Sequence, residues 1–223
     1  MEMFMEKAAS KASLGQRKLV CGVGINDAWY STSYKNKTGQ WVQCPYYNRW
    51  CGMLERAYGT KYQEKYPTYV GCTVSEEWLL FSNFRSWMEK QDWEGKQLDK
   101  DILVPDNKVY GGETCIFVSS GINNLLIGNG ASRGKYPQGV YWNKRDSRYV
   151  AMCRVKGVQK NVGSFRSERE AELAYCTFKA NLIISASNEK EASSDLRVKN
   201  GLLLHAKKFT DRVSALGVIL DEV

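Results

Sequence analysis

The chain has 223 residues, 43% of them apolar, including 7 Trp, 13 Tyr and 7 Phe, which is ample material for packed cores and excludes a globally disordered protein. Its formal net charge of +8 points to a polyanionic partner. No apolar run approaches the roughly 20 residues of a membrane-spanning helix, so no membrane role is expected.

In chain order, residues 1–18 are small, polar and basic, lack the apolar core of a signal peptide, and are expected to form a flexible basic leader. Seven cysteines, an odd number without a regular frame, predict free thiols in a reducing, intracellular compartment. Residues 19–127 are rich in Trp, Tyr and Cys. Here Tyr47, Trp50, Leu54 and Ala57 recur at helical spacing, as do Trp78, Phe81, Arg85 and Met88, so two amphipathic helices are predicted, the second starting at Ser75. Between them, Tyr66-Pro67-Thr68-Tyr69 reads as extended or turn-like. The aromatic residues of 29–50 offer a surface for a protein partner. Leu98–Val104 and Thr114–Val118 read as strands around a polar loop, Pro105–Glu113, and Ser119–Leu126 as a short helix. Residues 128–134, Gly-Asn-Gly-Ala-Ser-Arg-Gly, read as a flexible linker.

Residues 135–184 form a basic module. From Gly134 to Leu182 ten Lys/Arg stand against four Asp/Glu, which puts +6 of the chain's +8 into this stretch. Gly139–Arg145 is predicted as a strand. A turn at Asp146-Ser147 leads to a second strand, Arg148–Lys156, with Tyr149, Ala151, Cys153 and Val155 on one face and Arg148, Val150, Met152, Arg154 and Lys156 on the other. Gly157 turns the chain into a third strand, Val158–Phe165. Ser167, with Glu168 and Glu170 in the first turn, predicts a capped helix whose Ala171, Ala174, Tyr175 and Phe178 cover the apolar sheet face. The other face is then open and cationic. A sheet presented this way enters a DNA major groove, which admits a β-ribbon as readily as a helix. After a polar stretch, a last helix is predicted over 196–221. Its Val198, Leu202, His205, Phe209, Val213, Leu216 and Leu220 could pack intramolecularly or pair with a second copy as a homodimer.

Gly139-Val140-Tyr141-Trp142, Tyr149-Val150-Ala151, Val162-Gly163-Ser164-Phe165 and the helix Glu170–Tyr175 resemble the AP2 DNA-binding domain, in the form found in phage and bacterial HNH-type homing endonucleases. The resemblance implies double-stranded DNA as partner. It implies contacts from Tyr141, Asn143, Arg148, Met152, Arg154, Gln159 and Asn161. Fewer arginines stand there than in plant members, which implies a weaker or different base specificity.

A second set of residues resembles degenerate HNH-like phage nucleases: Trp50–Arg56, Val74 with Glu77-Trp78, Phe81 with Asn83-Phe84, Leu98–Asp101, and Tyr110 with Glu113-Thr114-Cys115. The resemblance implies a metal-dependent DNA endonuclease acting in the cytoplasm of a bacterial host. Mg²⁺ or Mn²⁺ would be held by Asp99 and Asn123, with Lys100 in the general-base position and Asp101 as a nearby carboxylate. The usual histidine base is absent and Thr114 replaces the middle asparagine. A lysine, with a reference pKa near ~10.4, is a proton donor at neutral pH. The alternative is a catalytically inactive DNA-binding or host-interference protein derived from such a nuclease. The expected fold is thus α+β: a helical and ββα-metal (HNH-like) region, then a three-stranded antiparallel sheet packed on one helix (AP2-like), then a carboxy-terminal helix.

Overall fold

A computed structural model describes residues 4–126 and 134–218. The expected linker at 128–134, apart from Gly134, and Leu220 of the last apolar stripe lie outside the described residues. The fold is mixed α+β, with small sheets that include one three-stranded antiparallel sheet. The chain divides into two compact units. The first is residues 1–100 with 107–117; the second is 101–106 with 118–223. This differs from a boundary at the linker, because two short stretches of the central region belong to the second unit.

The first unit begins with α1 (Lys11–Gly15), then the hairpin β1 (Ser33–Lys35) and β2 (Trp41–Gln43). Next come α2 (Pro45–Tyr58), α3 (Thr60–Lys65) and a 3₁₀ turn at Pro67–Tyr69. The expected helix beneath Trp78 to Met88 is broken in two. A 3₁₀ turn spans Glu76–Leu79 and α4 spans Phe81–Met88. The break falls at Leu80, which is extended and bridged to Ile25; the Ile25 N–H donates to the Leu79 carbonyl at 2.8 Å and the Phe81 N–H to the Ile25 carbonyl at 3.0 Å. Backbone pairing there replaces a turn of helix. Trp50, Met53, Leu54, Phe81, Phe84 and Met88 are fully buried, and the Trp50 indole N–H donates to the Trp78 carbonyl at 2.7 Å.

The leader expected to be flexible is tied into this unit from Phe4 onward. The Phe4 ring lies 5.9 Å from Tyr30 and 5.5 Å from Tyr34, Ala8 bridges Tyr30, and Glu6 pairs with Arg85 at 2.7 Å. The Arg17 guanidinium donates to the carbonyls of Asn26, Ala28 and Tyr30. Composition marked the segment as loose; it is held by backbone pairing and one arginine, which composition does not register.

β3 (Thr73–Val74) pairs in parallel with β5 (Val109–Tyr110), and β4 (Gln97–Asp99) pairs with β6 (Ile116–Val118), which leads into α5 (Ser120–Leu126). The strand expected over Leu98–Val104 therefore ends at Asp99. Lys100 and Asn107 close the base of the excursion that follows. The Lys100 ammonium donates to the Asn107 carbonyl at 2.7 Å, and the Asn107 amide donates to the Lys100 carbonyl at 2.8 Å. Residues 101–106 then belong to the second unit.

In that unit, β7 (Val140–Asn143), β8 (Arg148–Val155) and β9 (Val158–Phe165) form the antiparallel sheet, in the order β7-β8-β9. α6 (Glu168–Ser187), α7 (Lys190–Ser193) and α8 (Leu196–Val218) follow. α6 continues beyond the expected Leu182 because it has two partners. Ala171 and Tyr175 face the sheet core, while its other side meets α8, with Glu172 paired to Arg212 at 2.7 Å and the Tyr175 ring 6.3 Å from Phe209. The last helix accordingly packs on its own chain: Val198, Leu202, Ala206 and Leu216 are buried.

One stripe of α8 seats the 101–106 segment. His205 Nε2 donates to the Asp101 carbonyl at 2.8 Å, Lys208 pairs with Asp106, and Ile102 is fully buried. At Gly201 the approach is closest: an added Cβ would lie 2.2 Å from the Ile102 carbonyl oxygen. Replacing a helix-interior glycine by alanine ordinarily gains about 1 kcal/mol. Here the obstacle is backbone, and such overpacking costs about 1–3 kcal/mol. Gly201→Ala should therefore forfeit that gain and lower stability by up to about 2 kcal/mol in urea unfolding. An alanine variant more stable than the parent would contradict the contact.

Candidate nucleic-acid interface

Local sequence builds the sheet. The β8–β9 hairpin closes in two residues, Lys156 and Gly157, with φ of 49° and 85°. Two positive φ values make the turn whose twist matches antiparallel strands. The β7–β8 turn is closed by Asn143, whose side-chain oxygen accepts the Arg145 N–H at 3.0 Å while its amide donates to Asp146 at 2.8 Å. Ser167 caps α6 in a full capping box with Glu170, and these backbone bonds hold the Glu170 carboxyl below the usual range.

The register separates the two faces. Val140, Tyr149, Ala151, Cys153, Val162 and Phe165 pack on the α6 side. Ala151 pairs with Gly163 and Met152 with Asn161, so Val162 is an extra residue on β9. That bulge inverts the faces beyond it. Simple alternation from Gln159 and Asn161 would turn Phe165 outward; instead Phe165 turns inward over Gly163, where an added Cβ would lie 2.6 Å from its ring, and Ser164 turns outward opposite Val150. Ser164 escaped the sequence reading for this reason. The Gly-Ser-Phe order carries the signal, since a phenylalanine needs the core and a glycine makes room for its ring.

On the open face the strands juxtapose Tyr141, Val150 and Ser164, then Met152 with Asn161, Arg154 with Gln159, and Asn143 with Arg148. The structure thus brings all seven expected DNA-facing residues to one face. Tyr141, Arg154, Gln159 and Asn161 are exposed; Asn143, Arg148 and Met152 are half-buried. Val150, central on the face, is 4% exposed, so the face is closed to solvent at its middle and accessible at Tyr141, Ser164, Arg154, Gln159 and Asn161 around it. Asn143 differs from expectation, because its amide is committed to the turn. Arg148 and Arg154 make no ion pair among the described residues. Six residues along a strand separate them by about 20 Å, more than the roughly 12 Å width of a major groove. The face therefore has an apolar and amide centre with an arginine towards each end.

Two of the ten cations counted in this stretch do not serve the surface. Lys179 is buried, and burial pushes its ammonium below the usual lysine range. Arg169 donates to the Leu216 carbonyl.

No family model, curated protein or solved structure matches this chain.

The candidate catalytic residues are divided between the units. Asp99 and Lys100 lie in the first, Asp101 and Asn123 in the second. Asp99 ends β4, and its charge adds to the burial that pushes the Cys115 thiol up to about 12. Lys100 is 5% exposed, with its ammonium on the Asn107 carbonyl and 5.9 Å from the Tyr110 ring centre. Lys100 and Asn107 thus tie the two ends of the 101–106 excursion together. Asp101 presents its carbonyl to His205, and Asn123 lies in the first turn of α5, its N–H donating to the Ser119 carbonyl at 3.0 Å. A hard divalent ion takes several oxygen donors. Among the described residues no three His, Cys, Asp or Glu side chains gather to hold a metal ion. All seven cysteines are free, and no described helix is long and apolar enough to cross a membrane.

Proposed function

We propose that this protein binds double-stranded DNA through the open face of the β7–β8–β9 sheet. One observation carries the reading: Tyr141, Met152 and Asn161 lie between Arg148 and Arg154 on a single face, with Gln159 beside Arg154, opposite the helix that backs the sheet. In this reading the arginines hold phosphates at the groove edges. The exposed amides and the tyrosine meet base edges, as their donor and acceptor groups suit. The AP2-like pattern of the residues supports the same assignment. The test is a salt titration of duplex binding. Affinity should fall steeply as log[salt] rises, because phosphate contacts release counterions. Absence of binding, or binding indifferent to salt, would overturn the proposal.

A second reading, a homing-type DNA endonuclease, draws on the order of elements in which β4 pairs with β6 and α5 follows. Nicking of supercoiled plasmid with Mg²⁺ or Mn²⁺ separates the two. Nicking by the parent chain that Asp99→Ala lowers by about 100-fold or more, the size of a lost general acid–base contribution, would establish the enzyme. Duplex binding without nicking leaves a DNA-binding protein of the catalytically inactive kind.

A further inference from the structure

We propose that the β1–β2 hairpin is a second nucleic-acid contact, which stacks an unpaired base on Trp41 while Lys35 and Lys37 hold the adjoining phosphates. This inference concerns the first unit and does not depend on the sheet of the second.

The hairpin has two unlike sides. Its register pairs Ser33 with Gln43, Tyr34 with Val42 and Lys35 with Trp41. Tyr34 and Val42 are half-buried, and the Tyr34 ring sits 5.5 Å from Phe4 and 4.5 Å from the Lys7 ammonium. The alternate residues, Ser33, Lys35, Trp41 and Gln43, are all exposed. The loop between the strands is ordered by one side chain: the Asn36 amide oxygen accepts the N–H of Thr38 at 3.1 Å, the N–H of Gln40 at 2.9 Å and the Thr38 hydroxyl at 2.8 Å. The Cys44 N–H donates to the Thr32 carbonyl at 2.8 Å and closes the open end. The outward face is therefore preformed.

That face leaves an indole in water. Trp41 is 65% exposed, and the Lys35 ammonium lies over its ring, 5.5 Å from the centre. Indole is the side chain with the most apolar surface to bury, so its exposure beside a cation is a feature to explain. The charge of the surrounding sequence is one-sided. No Asp or Glu occurs between Asp27 and Glu55, while Lys35, Lys37 and Arg49 do. A flat ring flanked by cations and short polar groups, with no acidic neighbour in sequence, complements a base and its phosphates. In a duplex the base faces are already stacked, so the strand that fits is single. A protein partner is less well matched, because its own apolar surface would meet one ring among charges.

The test measures anisotropy of labelled d(T)20 and r(U)20 with the full chain. Trp41→Ala should weaken binding by about tenfold, the size of one lost base–aromatic stack, and Trp41→Phe should restore much of it. Lys35→Ala with Lys37→Ala should flatten the dependence of log K on log[salt] by about 1.4, or about 0.7 for each phosphate contact in a single strand. Duplex affinity should stay within about twofold in all three, since those contacts are assigned elsewhere. Loss on both oligomers assigns the hairpin to either strand, and loss on one assigns it to DNA or RNA. Parent-like binding of both oligomers by Trp41→Ala and by the double lysine variant overturns the proposal, as does a parent chain that binds neither. Failure of duplex binding alone would instead count against the sheet.

Discussion

Gly139→Ala is expected to cost about 4 kcal/mol in the stability of the second unit, the sum of backbone strain and overpacking. Gly139 has φ of +76°, a conformation that an alanine adopts only with strain. Space is the second obstacle: an added Cβ would lie 2.2 Å from the Tyr175 ring and 2.8 Å from the Met152 carbonyl oxygen. Tyr175 cannot retreat easily, being buried between the sheet and Phe209. The Gly139 carbonyl also accepts the Met152 N–H at 2.7 Å, so movement of residue 139 would loosen the entry to β7. Gly157→Ala is the control. Its φ is +85°, yet nothing lies within 4 Å of an added Cβ, so it isolates the strain at about 1–2 kcal/mol. Urea unfolding of both variants reads the difference directly. Equal losses would mean that Tyr175 does not press on residue 139. Because domains are stable by only about 5–15 kcal/mol in all, the Gly139 variant should also lose duplex binding at elevated temperature before the Gly157 variant does.

Removing both arginines of the sheet face should have the largest effect on DNA binding. For Arg148→Ala with Arg154→Ala, the slope of log K against log[salt] should flatten by about 1.8, since each phosphate contact contributes about 0.9 on duplex DNA. Affinity should fall by about 100-fold at moderate salt, or about tenfold for each charge-assisted contact. Both residues carry charge that no ion pair among the described residues neutralises. Arg145→Ala provides the comparison. Arg145 lies in the β7–β8 turn 3.2 Å from Asp146, so its charge is already opposed and its loss should matter less. Equal effects from Arg145 and Arg154 would indicate a diffuse basic surface. An unchanged slope in the double variant would remove the sheet face from the interface.

Much of the second unit was legible because its signals are local. The Lys156-Gly157 turn, the Ser167/Glu170 capping box and the alternation along β8 each act within a few residues, and each predicts its element correctly. The first unit was less legible. Leu80 reads as part of one helix, yet it is extended because Ile25, far away in sequence, bridges it. Leu98–Val104 has the apolar composition of a strand but stops at Asp99, since Ile102 finds its burial on α8. For the candidate catalytic residues, the HNH-like resemblance placed Lys100 in the general-base position. In the fold it is buried, with its ammonium on the Asn107 carbonyl, a contact made between residues that only the tertiary structure brings together.

By itself the sequence determined the α+β class, the strand–strand–strand–helix order from Gly139 to Leu182, the concentration of positive charge there and the two-sided alternation of the second strand. Only the tertiary structure decided that Val162 bulges and turns Ser164 outward, that α8 packs on α6, that the amino-terminal segment is anchored, and that residues 101–106 belong with α8. The division has a physical reason. Turns, caps and alternation are set by neighbours in the chain. Which apolar face covers which, and where backbone can approach backbone as at Gly139 and Gly201, depends on contacts between residues remote in sequence.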